Sequence, residues 1–167
     1  MTLRTLLAAI DPDGNASDIV DIAADMAQAF GASLVVLHVV PLPASVDADA
    51  LRNPQAHPAT QQVLREREQA VLPTLQTIVQ RALERGCSAT SLRLGHGDPA
   101  DTILGVADAL SADMLVVGTH GRKNPLRGLL GSVAESVIRA ARVPVLTVRH
   151  RADAPSASFI HREIPLP

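Results

Sequence analysis

The sequence has no tryptophan and no tyrosine, and only two phenylalanines, Phe30 and Phe159, among its 167 residues. Proteins that bind single-stranded nucleic acids stack the bases on aromatic side chains, and this chain has almost none to offer. Its formal net charge of −2 also differs from the strongly basic balance of a polyanion binder. We therefore expect no nucleic-acid partner.

Cysteine and long apolar runs are scarce as well. The single cysteine, Cys87, excludes an intrachain disulfide and a metal site built from several cysteines. No apolar run approaches the roughly 20 residues that a helix needs to cross a bilayer. The N-terminal segment turns acidic too soon to be a signal peptide, and the six histidines show no metal-ligand spacing. These absences predict a soluble, cytoplasmic protein without a membrane partner.

Short apolar runs alternate with amphipathic stretches along the chain. Such alternation is typical of an α/β domain with a doubly wound, five-stranded parallel sheet and helices on both faces. The strands are apolar throughout, as burial on both faces requires. The predicted strands are Leu3–Ile10, Leu34–Val40, Ala89–Leu94, Met114–Val117 and Pro144–Val148. The predicted helices begin at the N-cap Ser17, near Gln61, at Asp98-Pro99 and at Ser132, and the last of them ends at Arg142.

The pattern indicates one domain, residues 1–150, followed by a Pro- and Ser-rich C-terminal tail, residues 151–167, that frays or packs on a partner. Four prolines and the lack of a sustained period predict a surface insertion or lid over residues 41–60. Gly31 and Gly86 are expected to stop the first two helices, and Pro73 to kink the second. In the last helix the predicted inward residues are Val133, Val137, Ile138 and Ala141.

The glycine-rich loop at residues 118–131 follows an apolar strand and precedes an amphipathic helix. Ser132 and Glu135 form a capping-box pattern, which places the helix N-terminus at Gly131–Ser132. The N–H groups of a first helical turn lack partners and favour phosphate oxygens. Residues 118–151 also hold seven Arg or Lys and one acid. This composition favours a small anionic ligand, although Arg139 and Arg142 have the alternative of a solvated helix face.

The loop resembles the universal stress protein family. Its pattern Gly-x2-Gly-x9-Gly-Ser is complete as Gly118, Gly121, Gly131 and Ser132, with the nine-residue spacing of the family's ATP-binding branch. The resemblance covers roughly residues 1–150. Other similar segments are Leu6–Asp11, Leu37–Val39, Val116–Arg122 and Arg142–Leu146.

The resemblance implies a strand order of 3-2-1-4-5, with Asp11 opposite Gly118 at the reversal. Asp11 would then meet the ribose hydroxyls of ATP or a bound metal such as Mg²⁺. It also implies a homodimer formed through the last strand, Pro144–Val148. The implied neighbours of the base and ribose are Ala9, Asp11 and Val39. Those of the ribose and phosphates are Val117, Gly118, Gly121, Gly131, Ser132 and Val133, with His120 and Arg122 from the same loop completing the candidate set.

Several of these residues have simpler interpretations. Asp11 can cap the local turn, and Ser132 can serve only as an N-cap, although capping and phosphate binding can share one site. His120 is more typical of a loop residue than of a catalyst. His38 lies in an apolar run and is expected to be a hydrogen-bonded core histidine.

Other nucleotide-binding and catalytic motifs are absent from the sequence or lie at the wrong place in it. The chain has no GxxxxGK[ST] loop and no nucleophile elbow. The segment Gly95–Ala100 resembles a dinucleotide-binding fingerprint, but that fingerprint belongs after the first strand and this segment lies at the third. The pair Asp98-Pro99 is accounted for as the start of a helix.

Three hypotheses of function remain from the sequence. The first is an ATP-binding regulator in stress response, which needs no catalytic residue, and none is evident. The second is a dimeric interaction module of the same fold that works without nucleotide. The third is a slow ATP hydrolase or phosphotransferase, for which only His120 or Asp11 is on offer as a base.

Overall fold

The computed structural model describes residues 2–42, 46, 57–119 and 130–149, and structural statements below refer to these ranges. They form five parallel strands in the order β3-β2-β1-β4-β5, which confirms the predicted fold. The elements are β1 (Thr5–Ile10), α1 (Ala16–Phe30), β2 (Ser33–Val40), α2 (Pro58–Glu84), β3 (Thr90–His96), α3 (Pro99–Ala109), β4 (Met114–Gly118), α4 (Ser132–Ala140) and β5 (Val145–Val148).

The sheet separates two apolar cores, because successive side chains of a strand point to opposite faces. On β1, Leu6 and Ala8 pack in the core under α1 and α2. Leu7 and Ala9 pack in the core under α3 and α4. This alternation decides which strand residues can share a site.

Helix α1 begins at Ala16 with Asn15 at the N-cap position, so the prediction of Ser17 as N-cap is wrong. The Asn15 side chain makes no capping bond. Its Nδ2 donates instead to the Val148 carbonyl at 3.1 Å, across the sheet to the last strand. The predicted stop at Gly31 is confirmed, since Gly31 adopts the left-handed conformation with φ of +64°.

Helix α2 begins at Pro58, with proline in its first turn, and not at Gln61. The predicted insertion at 41–60 therefore ends before Pro58, and most of its residues lie outside the described ranges. The helix is assigned as continuous through Pro73 and ends at Glu84, with Arg85 as its C-cap. Its deeply buried residues are Leu75, Ile78 and Ala82, whereas Leu64 and Val71 are only half-buried.

Helix α3 starts as predicted. The Asp98 side chain accepts a hydrogen bond from the Asp101 backbone at 3.0 Å, and Pro99 occupies the first turn. This is the arrangement that the Asp-Pro pair indicates.

Helix α4 differs from the prediction in its end and in its buried face. It ends at Ala140 instead of Arg142. Val133 is 37% exposed and Ile138 is 42% exposed, so neither points inward. Val137 is buried as predicted, and Ala134 is buried with it, because residues three apart on one helix face meet the sheet. None of the described helices is long and apolar enough to cross a membrane.

Candidate functional site

The strand order reverses between β1 and β4, and their carboxyl ends lie side by side. The register pairs Ala9 with Val117. Continued by two residues, that register brings Asp11 opposite Thr119, one residue beyond the expected Gly118. Ligands of open parallel sheets bind at such a reversal, because the chains leaving the two strands diverge there.

Three of the predicted residues form an apolar floor at this edge. Ala9, Val39 and Val117 lie on the face of the sheet that packs on α3 and α4, and each is at most 8% exposed. They come from three adjacent strands, β2, β1 and β4, so the structure brings together three of the residues that the family resemblance implies.

Gly118 is directed to the other face. A Cβ built there would lie 2.6 Å from Asn15 Oδ1 and 3.0 Å from Ile19 Cδ1. The structural demand for glycine therefore comes from the close approach of α1 to β4.

Asp11 lies in a tight turn directly after β1. Its Oδ1 accepts a hydrogen bond from the Asp13 backbone at 3.2 Å, and its carbonyl accepts one from Gly14 at 2.9 Å. The turn-capping interpretation thus has direct support. The same turn fixes the carboxylate at the carboxyl end of β1, where a ligand could meet it.

Two backbone hydrogen bonds hold the two ends of the glycine-rich loop in place. The Thr119 N–H donates to the Val148 carbonyl at 2.9 Å, and the Gly131 N–H donates to the Thr119 carbonyl at 2.7 Å. Thr119 is only 6% exposed. The two stems of the loop are therefore joined directly, with residues 120–130 between them. His120, Gly121 and Arg122 lie outside the described residues.

Helix α4 begins at the predicted place but without the predicted capping box. Gly131 is the N-cap, with φ of −66° and ψ of 149°, and no side chain caps the helix. Glu135 instead accepts a hydrogen bond from Arg139 at 2.7 Å, because the two are one turn apart. Ser132 consequently lies inside the first turn.

The first turn of α4 presents backbone donors to this edge. The Gly131 N–H is used by Thr119, and the first helical bond runs from the Glu135 N–H to the Gly131 carbonyl. The N–H groups of Ser132, Val133 and Ala134 precede that bond and have no carbonyl to reach within the helix. With the helix dipole, they form a donor set suited to an anion.

The basic residues described at the far end of α4 have acidic neighbours. Arg139 pairs with Glu135, and Arg142 lies 3.9 Å from Asp108, all with largely exposed side chains. This agrees with the solvated-face interpretation of these two arginines, which leaves them at a distance from the loop.

His38 is a core residue, as predicted. It is 4% exposed, and its Nδ1 lies 3.0 Å from the Ile10 carbonyl. Because a carbonyl only accepts hydrogen bonds, Nδ1 carries the proton. Within the described ranges, no group of three or more His, Cys, Asp or Glu side chains could hold a metal ion.

Sequence reasoning missed three residues near this edge. Asn15 and Thr119 tie α1, β4 and β5 together, and an Asn directly before a helix was the available signal for the first. The third is His96, at the end of β3. Its buried Nε2 lies 2.8 Å from Glu68 Oε1, but the two are not aligned as a hydrogen bond, and no other described atom bonds to it.

Comparison with known proteins identifies the family of this sequence. The model of the universal stress protein family matches residues 2–149. The chain belongs to the universal stress protein family.

Individual relatives support the assignment. A universal stress protein of Thermus aquaticus is 33% identical over 147 residues, which are 87% of this chain and 98% of that protein. Universal stress protein MJ0531 of Methanocaldococcus jannaschii is 48% identical over 54 residues, and that match spans only 32% of each protein. A solved universal stress protein in complex with cAMP is 26% identical, with a TM-score of 0.65, over 89% of this chain and 98% of that one.

Proposed function

We propose that this universal stress protein binds an adenine nucleotide, ATP above all, at the edge between β1 and β4, and acts as a nucleotide-dependent cytoplasmic regulator in stress response. The observation that carries the proposal is the meeting of three different groups at one edge. They are the first-turn N–H groups of α4, the Asp11 carboxylate and the apolar floor of Ala9, Val39 and Val117.

The phosphates would meet the N-terminus of α4. Ser132 and Val133 supply backbone N–H groups there, and the Ser132 hydroxyl adds a further donor. Because Gly131 has no side chain, it would leave the phosphates free to approach these N–H groups. Gly121, Arg122 and His120 remain in the proposed site, with Arg122 adding positive charge beside the phosphates.

The base and ribose would lie toward β1 and β2. Ala9 and Val39 would present short apolar side chains to the base, and Val117 and the backbone of Gly118 would border the ribose. Asp11 would accept hydrogen bonds from the ribose hydroxyls. A Mg²⁺ ion bound with ATP would take phosphate oxygens and water, with the Asp11 carboxylate as its protein ligand.

A regulator fits these residues better than an enzyme does. His38 is buried and bonded to Ile10, so it has no path to a phosphate. Slow hydrolysis would need His120 or Asp11 to position water. The relative solved with cAMP supports binding of an adenine nucleotide by this fold.

We also propose a homodimer formed through the last strand. In the described residues, β5 pairs with β4 on one side and with no strand on the other. Its Val145 and Leu146 are half-buried and Thr147 is exposed. An apolar edge of this kind favours pairing with a second copy.

The test of the ligand is direct. Nucleotide released by denaturing the purified protein is identified by mass spectrometry, and ATP, cAMP and GTP are then titrated calorimetrically into stripped protein. We expect ATP to be retained and to bind more tightly than GTP. Binding of none of the three would overturn the proposal and favour the nucleotide-independent module, while steady release of ADP would favour the hydrolase.

A further inference from the structure

One face of the last strand carries an apolar surface that the described helices leave open. Helix α1 packs on β1 and β4, and α2 packs on β2 and β3. Helix α1 meets β5 at Asn15, which bonds the Val148 carbonyl, and Val148 is buried on this face, whereas Leu146 is only half-buried. Around Leu146, the described helices therefore leave the margin of the sheet beside α1 partly exposed.

The adjoining flank of α1 is apolar too. Asp21 and Asp25 face α2, where they pair with Arg81 and Arg85. Ile22 and Met26 follow them by one residue each. They therefore lie roughly 100° further around the helix, on the flank away from α2.

We call the apolar surface formed by Ile22, Met26, Phe30, Met114 and Leu146 the margin patch. Ile22 is 39% exposed and Phe30 is 57% exposed. Met26, Met114 and Leu146 are half-buried against the same core. The residues at 22, 26 and 30 recur every four positions, so they make a continuous stripe along α1.

We infer that the margin patch is covered by the C-terminal tail of the same chain, residues 151–167, which binds there through Phe159 and Ile160. The tail follows β5, the strand that carries Leu146 of the patch. It also holds a cluster of apolar residues in an otherwise polar stretch, namely Phe159, Ile160, Ile164 and Leu166. Methionines such as Met26 and Met114 adapt readily to such a ligand.

The length of the tail fits this position. Phe159 is the tenth residue after Arg149, and ten extended residues can span roughly 33 Å. Helix α1 has 15 residues and is therefore about 22 Å long. Phe159 can thus reach every part of the stripe. Because the tail is tethered to the strand beside the patch, its effective concentration there exceeds that of a second copy in dilute solution.

The lack of other fluorophores makes the test clean. The chain has no tryptophan and no tyrosine, so Phe159→Trp in the full-length protein reports only on the tail. We expect its emission to be blue-shifted relative to the denatured protein, and to stay so on dilution. Adding Ile22→Glu or Phe30→Glu should shift it to the red, while circular dichroism shows that the fold is kept.

The matched control is Leu83→Glu, which changes an apolar residue of similar exposure, 40%, on α2. Added to Phe159→Trp, it should leave the indole emission unchanged. Red emission from Phe159→Trp alone, or emission that ignores both patch substitutions, would overturn the inference. A blue shift lost on dilution, together with the dimer, would assign the patch to the tail of a second copy and overturn binding within one chain. These readouts need no nucleotide, so they are independent of the proposed function.

Discussion

At the scale of single residues, substitution of Gly131 should separate the proposed ligand binding from folding. Its φ of −66° and ψ of 149° suit any residue, so the backbone conformation at this position does not require glycine. Gly131→Val should fold, at a cost of about 1 kcal/mol for a poorer N-cap. Its side chain should block the first turn of α4 and abolish ATP binding in calorimetric titration.

The control for Gly131→Val is Gly105→Val, on the exposed side of α3, where an added Cβ meets nothing within 4 Å. It should leave ATP binding intact. Ser132→Ala should weaken binding without eliminating it. If Gly131→Val binds ATP like the parent, the loop is only a connector.

Gly118 should behave in the opposite way. Gly118→Ala places a methyl group against Asn15 and Ile19 and should destabilise the fold by about 1–3 kcal/mol through overpacking. Urea denaturation measures this loss. Asn15→Ala in the same chain should recover part of it, since the 2.6 Å contact is with Asn15. Additive losses would contradict the packing role.

At the scale of elements, Asp113 joins the starts of β1 and β4. Its Oδ2 accepts hydrogen bonds from the backbone of Arg4 and Thr5 at 2.8 and 2.9 Å. The bond from Arg4, then that from Thr5, lowers the pKa of this carboxyl below its ordinary value of 3.8. The negative form is therefore the one that the folded state prefers.

A lowered folded-state pKa gives stability that is present above the unfolded pKa and is lost as the pH falls through the folded value. Unfolding free energies between pH 7 and pH 3 should therefore fall less steeply for Asp113→Asn than for the parent. Asp101→Asn, an exposed change on α3, serves as the comparison. Parallel curves for Asp113→Asn and the parent would show that these bonds add no acid sensitivity.

At the scale of the whole molecule, the dimer proposal rests on the free edge of β5. Thr147→Lys puts a charge on that edge, and charged edge residues oppose strand pairing. Sedimentation at micromolar concentration should show a dimer for the parent and a shift toward monomer for this variant. Thr77→Lys, on the exposed side of α2, should remain dimeric. A monomeric parent would contradict the proposal.

The sequence predicted the fold because burial on both faces leaves a strong signal. The apolar runs of β1 and β2 and the pair Asp98-Pro99 mark elements through purely local chemistry. Long-range packing explains the failures. The Asn15 side chain does not cap its own helix and instead donates a hydrogen bond to the carbonyl of Val148, 133 residues away in the sequence. In the site, Ala9, Val39 and Val117 were implied by the family resemblance, whereas the packing of Gly118 against α1 depends on a helix from elsewhere in the chain.

The hydrogen bond between Gly131 and Thr119 has a consequence for how this protein can change over evolution. Because the two stems are fastened to each other, the segment between them can gain or lose residues without disturbing α4 or β5. Doubling the length of a flexible loop costs only about 0.6 kcal/mol in closure entropy. The preference for the proposed ligand can therefore diversify through insertions at one point, while the scaffold stays constant. Transplanting the loop of a relative between positions 119 and 131 should change the ligand and leave the melting temperature nearly unaltered.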